Sequence, residues 1–311
     1  MSSLFGPVPS RRLGKSLGID CVPYKTCSFN CIYCELGPTN ICTTERSAYL
    51  KPDIVCKELQ MRLEELKGDV DFITLAGSGE PTLNSNLPDL IQRIKSITTI
   101  PMAILTNSSL LSDRTIRDEL LQLDLIVPSL DAVSQDVFST INRPAEGLCA
   151  ERIVEGLIAL RKEFKGQIWM EVLFCEGIND SPKEIELLRK ALSKINPERI
   201  QINTVFRPPA QAGTLPLSKE KMIEIKKIFG TNAQVVGLPS VGTLSIPQSR
   251  AFKVRLVELL KRRPCTIPDI INVLAVPRLQ LIKVLDKMLD DGKLKICRHD
   301  EEIFYYVAKK E

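Results

Sequence analysis

Between residues 17 and 205 six apolar runs of strand length recur: LGIDCV (17–22), DFITLAG (71–77), PMAILTN (101–107), LDLIVPSLD (123–131), QIWMEVLFC (167–175) and ERIQINTV (198–205). Segments with apolar residues at helical spacing lie between or beside them, at 52–68, 88–97, 112–123, 152–164 and 181–195. Few folds accept this alternation. Successive strand–helix units predict an α/β architecture, a parallel sheet or partial (β/α)6 barrel with covering helices. The helix at 181–195 has a legible start, with Ser181 as cap, Pro182 at the first helical position and Glu184 three residues after the cap. In such folds the chemistry sits in the loops that follow the C-terminal ends of the strands.

Unusual residues fall in those loops. KTCSFNCIYCELG (25–37) follows the first run, GSGEPT (77–82) the second, TNSS (106–109) the third and SLDA (129–132) the fourth. Cys27, Cys31 and Cys34 stand within eight positions of one another. A structural zinc site needs four ligands, and the one histidine, His299, is more than 260 residues away. A [4Fe-4S] cluster held by three thiolates instead leaves one iron open to a substrate or cofactor.

With 311 residues, 44% apolar and 26% charged, the chain has room for a catalytic core and a small second domain. No apolar stretch is long enough to span a bilayer, so no membrane is expected. Pro7, Pro9, Arg11 and Arg12 occupy the start where an export signal needs an apolar core, and clustered cysteines in such a chain point to metal chemistry in a reducing, cytoplasmic compartment. Residues 250–311 carry 14 Lys and Arg against 9 Asp and Glu, net +5, which leaves 28 against 29 for the rest. A basic small domain on a neutral body suggests a polyanionic partner.

CSFNCIYC, with Tyr33 directly before Cys34, resembles the signature of radical S-adenosylmethionine enzymes. The resemblance implies that Cys27, Cys31 and Cys34 hold a [4Fe-4S] cluster and that Tyr33 lies against the adenine of S-adenosylmethionine. The cofactor's amino and carboxylate groups would chelate the open iron. An electron would then cleave its sulfonium to methionine and a 5′-deoxyadenosyl radical, which abstracts hydrogen from a substrate. An electron donor such as ferredoxin or flavodoxin is implied. Gly77, Ser78, Gly79, Glu80 and Pro81 match the superfamily's glycine-rich loop, with Ser78 in place of the commoner glycine. There the glycines would let backbone groups approach the methionine ammonium and Glu80 would neutralise it. Asn107, Ser129 and Asp131 match positions that bind the cofactor's ribose and carboxylate.

FGPVPSRRLGKSLGID, LAGSGEPTL, INRP (141–144) and GIND (177–180) further resemble a group near the wyosine-base synthases, which rebuild a guanine of tRNA. Those synthases carry additional upstream cysteines and a lysine that engages pyruvate; Cys21, Cys42 and Cys56 do not reproduce that triplet. A second cluster would have to draw on Cys21, Cys42, Cys56, Cys149 or Cys175, which lack regular spacing. Arg143 and Arg207, each before a proline, are substrate candidates as anion-binding forks. Glu171, Gln201 and Asn203 are candidates on late strands, and the SRR of residues 10–12 could form a salt-bridged lid.

The expected boundaries are a barrel over residues 1–235, a linker at 236–249 and a winged helix over 250–311. Three helical segments and a strand pair around HDEE make up the last. Its helix-turn-helix would turn Arg278, Gln280, Lys283 and Lys287 toward RNA, above all tRNA, with Arg298 or Lys295 on the wing. Tyr305 and Tyr306 could stack bases or pack beneath it. Two other readings stay open: the same radical chemistry on a protein or small molecule, with the winged helix as docking module, and a non-enzymatic iron-sulfur sensor that binds DNA.

Overall fold

A computed structural model describes residues 3–10, 12–236, 250–274, 276, 278–299 and 302–307. Most of the expected linker therefore lies outside the described residues. Two compact units emerge. The first takes in the described residues up to Cys34, Pro38–Val205 and Gly213–Val236; the second takes in Glu35–Gly37, Phe206–Ala212 and the described residues from 250 onward.

In the first unit the elements run β1 (Leu4–Ser10), β2 (Gly14–Asp20), β3 (Thr26–Cys27), β4 (Ile41–Cys42), α1 (Pro52–Leu66), β5 (Phe72–Ala76), α2 (Leu87–Ile97), β6 (Met102–Thr106), α3 (Arg114–Leu120) and β7 (Leu125–Pro128). They continue with α4 (Gln135–Ile141), α5 (Ala150–Glu163), β8 (Gln167–Phe174), α6 (Pro182–Ile195), β9 (Arg199–Thr204), α7 (Lys219–Phe229) and β10 (Ala233–Val235). One eight-stranded sheet has the order β1-β2-β5-β6-β7-β8-β9-β10. All its pairs are parallel except β1 with β2. It is the open sheet of a partial barrel, and the six apolar runs are its six central strands.

Alternation along each strand separates two faces. Leu17, Ile19, Ile73, Leu75, Ile104, Met170 and Val172 join the helices in the main core. Leu13, Ala103, Leu125, Val127 and Trp169 form a smaller cluster of their own. Each fully buried Leu or Ile contributes about 1.5–3 kcal/mol relative to exposure, so the helix-covered face dominates stability. The Ser181 hydroxyl caps α6 by accepting from the Glu184 backbone N–H, as its sequence predicts. The Glu184 carboxylate does not complete a capping box; it accepts from Val133 N–H, Ser134 N–H and the Ser134 hydroxyl, tying α6 to the loop after β7.

Beside α4 and the two-residue strands β3 and β4, three elements of this unit were not read from sequence. Strand β1 contains Pro7 and Pro9, which argue against a strand except at an edge, where β1 lies. Strand β10 has three residues. Helix α7 begins at Ser218, whose hydroxyl accepts from Lys221 N–H, in a segment rich in lysine.

The second unit contains α8 (Arg250–Arg262), α9 (Ile267–Leu274), α10 (Arg278–Asp290) and an antiparallel pair, β11 (Lys295–His299) with β12 (Glu302–Tyr306). Thr266 and Asp269 cap α9 reciprocally: Asp269 N–H donates to the Thr266 hydroxyl and Thr266 N–H to the Asp269 carboxylate, both at 3.2 Å. Leu256, Leu260, Ile270, Leu281, Leu285 and Tyr305 share its core. Tyr305 is thus a packing residue, while Tyr306 is half-buried. Among the described residues no helix is long and apolar enough to cross a membrane.

Candidate functional site

The loop bearing the three cysteines is gripped from two sides. On one side Lys25 N–H donates to the Ser78 carbonyl at 2.7 Å and Glu80 N–H to the Thr26 carbonyl at 3.1 Å. A Cβ on Gly79 would collide with that Thr26 carbonyl, and one on Gly77, at φ +125°, with Asp20. The glycines therefore serve the docking of GSGEPT against the cysteine loop and strand β2. Ser78 is part of the same joint, since its N–H and hydroxyl both donate to the Asp20 carboxylate, at 2.8 and 2.7 Å.

On the other side the INRP stretch lies along residues 28–32. Asn30 N–H donates to the Asn142 carbonyl, Ile32 N–H to the Ile141 carbonyl and Ala145 N–H to the Ser28 carbonyl. Arg143, left-handed at φ +45° and exposed, belongs to this wall.

Glu80 is 2% exposed. It accepts from Thr82 N–H, the hydroxyls of Thr82 and Thr106, and Asn107 N–H, and so caps the short 3₁₀ turn that begins at Pro81. Four protein donors thus fix the carboxylate that the resemblance assigns to a ligand's ammonium. Burial raises its pKa even so.

Asp131 is the second hub. The Tyr33 hydroxyl donates to it at 2.5 Å, Asn142 Nδ2 at 2.9 Å and Leu173 N–H at 2.9 Å. Burial raises its pKa too, and the nearby Glu171 carboxylate adds to the shift. Asn179 of GIND braces the same loop by donating to the carbonyls of Asp131 and Leu173, both at 2.8 Å.

Around these hubs Tyr33, Asn107, Ser129 and Asp131 line one cavity with Phe29, Phe138 and Asn142. Four residues foreseen from three separate loops thus line one cavity. Asn142 was not foreseen, because the arginine beside it draws attention.

Each cysteine sulfur faces one side-chain N–H donor: Asn107 Nδ2 lies 3.5 Å from Cys27, Asn142 Nδ2 3.4 Å from Cys31, and Lys25 Nζ 3.1 Å from Cys34. Burial pushes the Cys27 thiol up to about 12 and that of Cys31 well above its ordinary value, and neighbouring negative charge adds to both shifts. Among the described residues no three His, Cys, Asp or Glu side chains converge on one metal ion. The thiolates of an iron-sulfur cube bind different irons, so three cysteines on one loop with donors at each sulfur suit a cluster better than a single ion. Cys21 and Cys175 are fully buried, and burial raises both thiols, as in packing residues.

The late-strand candidates meet one another. Glu171 accepts from Arg12 on both oxygens and from Asn203 Nδ2 at 2.9 Å. Arg11 lies outside the described residues. Gln201 is buried, with its Oε1 lacking a protein partner. Arg207 belongs to the second unit, where its guanidinium meets Glu35 at 2.7 Å and Asp269 at 3.4 Å. Its charge is already balanced there, which its sequence neighbours do not reveal. In that unit Arg278, Lys287, Lys295 and Arg298 are exposed, whereas the side chains of Gln280 and Lys283 lie outside the described residues.

The family model of the radical SAM superfamily matches residues 21–191. The chain belongs to the radical SAM superfamily. It is 39% identical over 94% of its length to a protein named GTPase Obg from Brachyspira hyodysenteriae, of which it spans only 43%. Here Pro9 stands where a phosphate-binding P-loop ending in Gly14-Lys15-Ser16 would need its first glycine. A UPF0026 protein of Methanocaldococcus jannaschii is 31% identical over 98% of this chain and 96% of that one. Among solved structures, TYW1 with a lysine-pyruvate adduct bound superposes with a TM-score of 0.50 at 17% identity, over 72% of this chain and 75% of that one. At that identity the likeness is one of fold. Superfamily membership makes the chain an enzyme and implies S-adenosylmethionine and a [4Fe-4S] cluster.

Proposed function

We propose that this radical SAM enzyme modifies RNA, with tRNA as its substrate. Cys27, Cys31 and Cys34 would hold the cluster; Tyr33, Asn107, Ser129 and Asp131, which line the cavity beside them, would receive S-adenosylmethionine. The backbone of residues 77–81 would complete that pocket. When bound, cluster and cofactor supply a one-electron reductive cleavage that releases methionine and a 5′-deoxyadenosyl radical.

The chain's own residues do the rest. Asp131 fixes the Tyr33 hydroxyl, so the ring has one orientation toward the cavity. Glu80 holds the end of β6 against the glycine loop, which sets Asn107 beside Cys27. Phe29 and Phe138, packed edge to face at 5.4 Å, make the apolar wall that keeps water from that side. The electron would come from a ferredoxin- or flavodoxin-like donor.

The observation that carries the RNA reading is the charge of the second unit, whose exposed Arg278, Lys287, Lys295 and Arg298 stand in a segment of net +5. A winged helix is the reading that its three helices and strand pair support. The test is anaerobic incubation of reconstituted enzyme, S-adenosylmethionine and dithionite with unmodified tRNA from a deletion strain. A new nucleoside mass, with 5′-deoxyadenosine rising on tRNA addition, is expected. The same 5′-deoxyadenosine yield with and without tRNA, and unchanged nucleosides, would move the substrate to protein or metabolite.

A further inference from the structure

Lys25 is 3% exposed and left-handed at φ +59°, and its Nζ lies 3.1 Å from the sulfur of Cys34. Its backbone leaves it little choice. The N–H is held by the Ser78 carbonyl, and the carbonyl accepts from Asn40 N–H at 3.0 Å and Ile41 N–H at 3.1 Å. A buried lysine is costly unless its charge meets a partner, and the partner here is a sulfur. Asn142, 3% exposed, and Asn107 supply neutral donors to the other two sulfurs from different loops. The three sulfurs are thus each given one side-chain N–H group, and only that of Lys25 belongs to an ammonium, while Cys27 also accepts from the Phe29 backbone N–H.

We infer that Lys25 is a positioning residue that sets the reduction potential of the cluster through Cys34, with Asn142 and Asn107 as weaker neutral counterparts. The inference rests on the reading of Cys27, Cys31 and Cys34 as cluster ligands. Reduction adds one electron, taken from an external one-electron donor, and so adds one negative charge among the sulfurs. Donors aimed at those sulfurs stabilise the more negative state, and a positive charge does so more than an amide dipole. Removing Lys25 makes the cluster harder to reduce.

The experiment is a redox titration of the reconstituted full-length protein, read by the visible spectrum and by electron paramagnetic resonance, with iron and sulfide measured in parallel. Lys25→Met keeps the side chain's length and the backbone's left-handed cost. It is expected to retain wild-type iron while the reduced-to-oxidised ratio at a fixed potential falls at least tenfold, about 59 mV for a one-electron couple. Lys25→Arg should stay within threefold of wild type, as should Lys57→Met, which removes an exposed lysine on α1. A Lys25→Met protein with full iron and an unchanged ratio would overturn the inference. If that variant loses iron, Asn142→Ala decides: a ratio lowered severalfold supports the inference and an unchanged one refutes it. Wild type without iron or sulfide would instead sink the ligand reading beneath it.

Discussion

Two regions of the molecule surround carboxylates in opposite ways. Around the cysteines Glu80 and Asp131 are surrounded by hydroxyls, amides and backbone N–H groups, and burial leaves both with raised pKa values. In the second unit burial would also raise Glu35, but the guanidiniums of Arg207 and Arg263, at 2.7 and 3.4 Å, overcome it and hold the group at about 2. The second arrangement is finished, with every charge answered. The first gives its two carboxylates uncharged donors, which is the arrangement expected if the cavity takes, as proposed, the sulfonium and ammonium of S-adenosylmethionine. On the proposed reading, a structural ion pair and a cofactor pocket differ in charge balance as well as in burial.

The sharpest way to break the contrast is at the cysteines. Cys31→Ala should abolish iron binding and the visible spectrum outright; an unchanged iron content would remove the cluster from this loop. Asp131→Ala comes next. It leaves the Tyr33 hydroxyl, Asn142 and Leu173 N–H without their acceptor in a buried place, which should cost about 3 kcal/mol in urea unfolding and weaken S-adenosylmethionine binding. A loss below about 0.5 kcal/mol would show that Asp131 is not a hub.

A smaller effect is expected at the surface of the second unit. Neutralising Arg278, Lys287 and Arg298 together should lower the slope of log affinity for tRNA against log salt by about 2. An unaltered slope would place the RNA contact elsewhere. The smallest effect concerns Glu35, whose side chain keeps about a third of its surface in water, so that its pairs are worth about 1 kcal/mol. Its folded pKa lies below the unfolded value of about 4.3, so this stability is present above that pH and is lost as pH falls toward 2. Glu35→Gln should lower stability at pH 7 and leave it unchanged at pH 2, as urea melts at the two pH values would show.

The six central strands and the start of α6 were legible because their signals are local: an apolar run, a cap, a proline. Tyr33, Asn107, Ser129 and Asp131 were named through the resemblance to radical S-adenosylmethionine enzymes, and they come together because strand ends of one sheet gather their loops. What escaped was side-chain partnership across the fold. Nothing near Glu80 in the chain announces Thr106, and nothing near Arg207 announces Glu35, 172 residues away. Lys25 and Asn142 escaped for the same reason, each standing beside a more conspicuous residue. Strand β1 escaped because its prolines are tolerated only by its position at the edge.

The measurement that tests the central claim most directly is 5′-deoxyadenosine formed per cluster by the reconstituted protein with dithionite and S-adenosylmethionine, beside Cys31→Ala and Cys21→Ala. Formation in wild type and Cys21→Ala but not in Cys31→Ala is the predicted result. Wild type with a full complement of iron and no cleavage would contradict it.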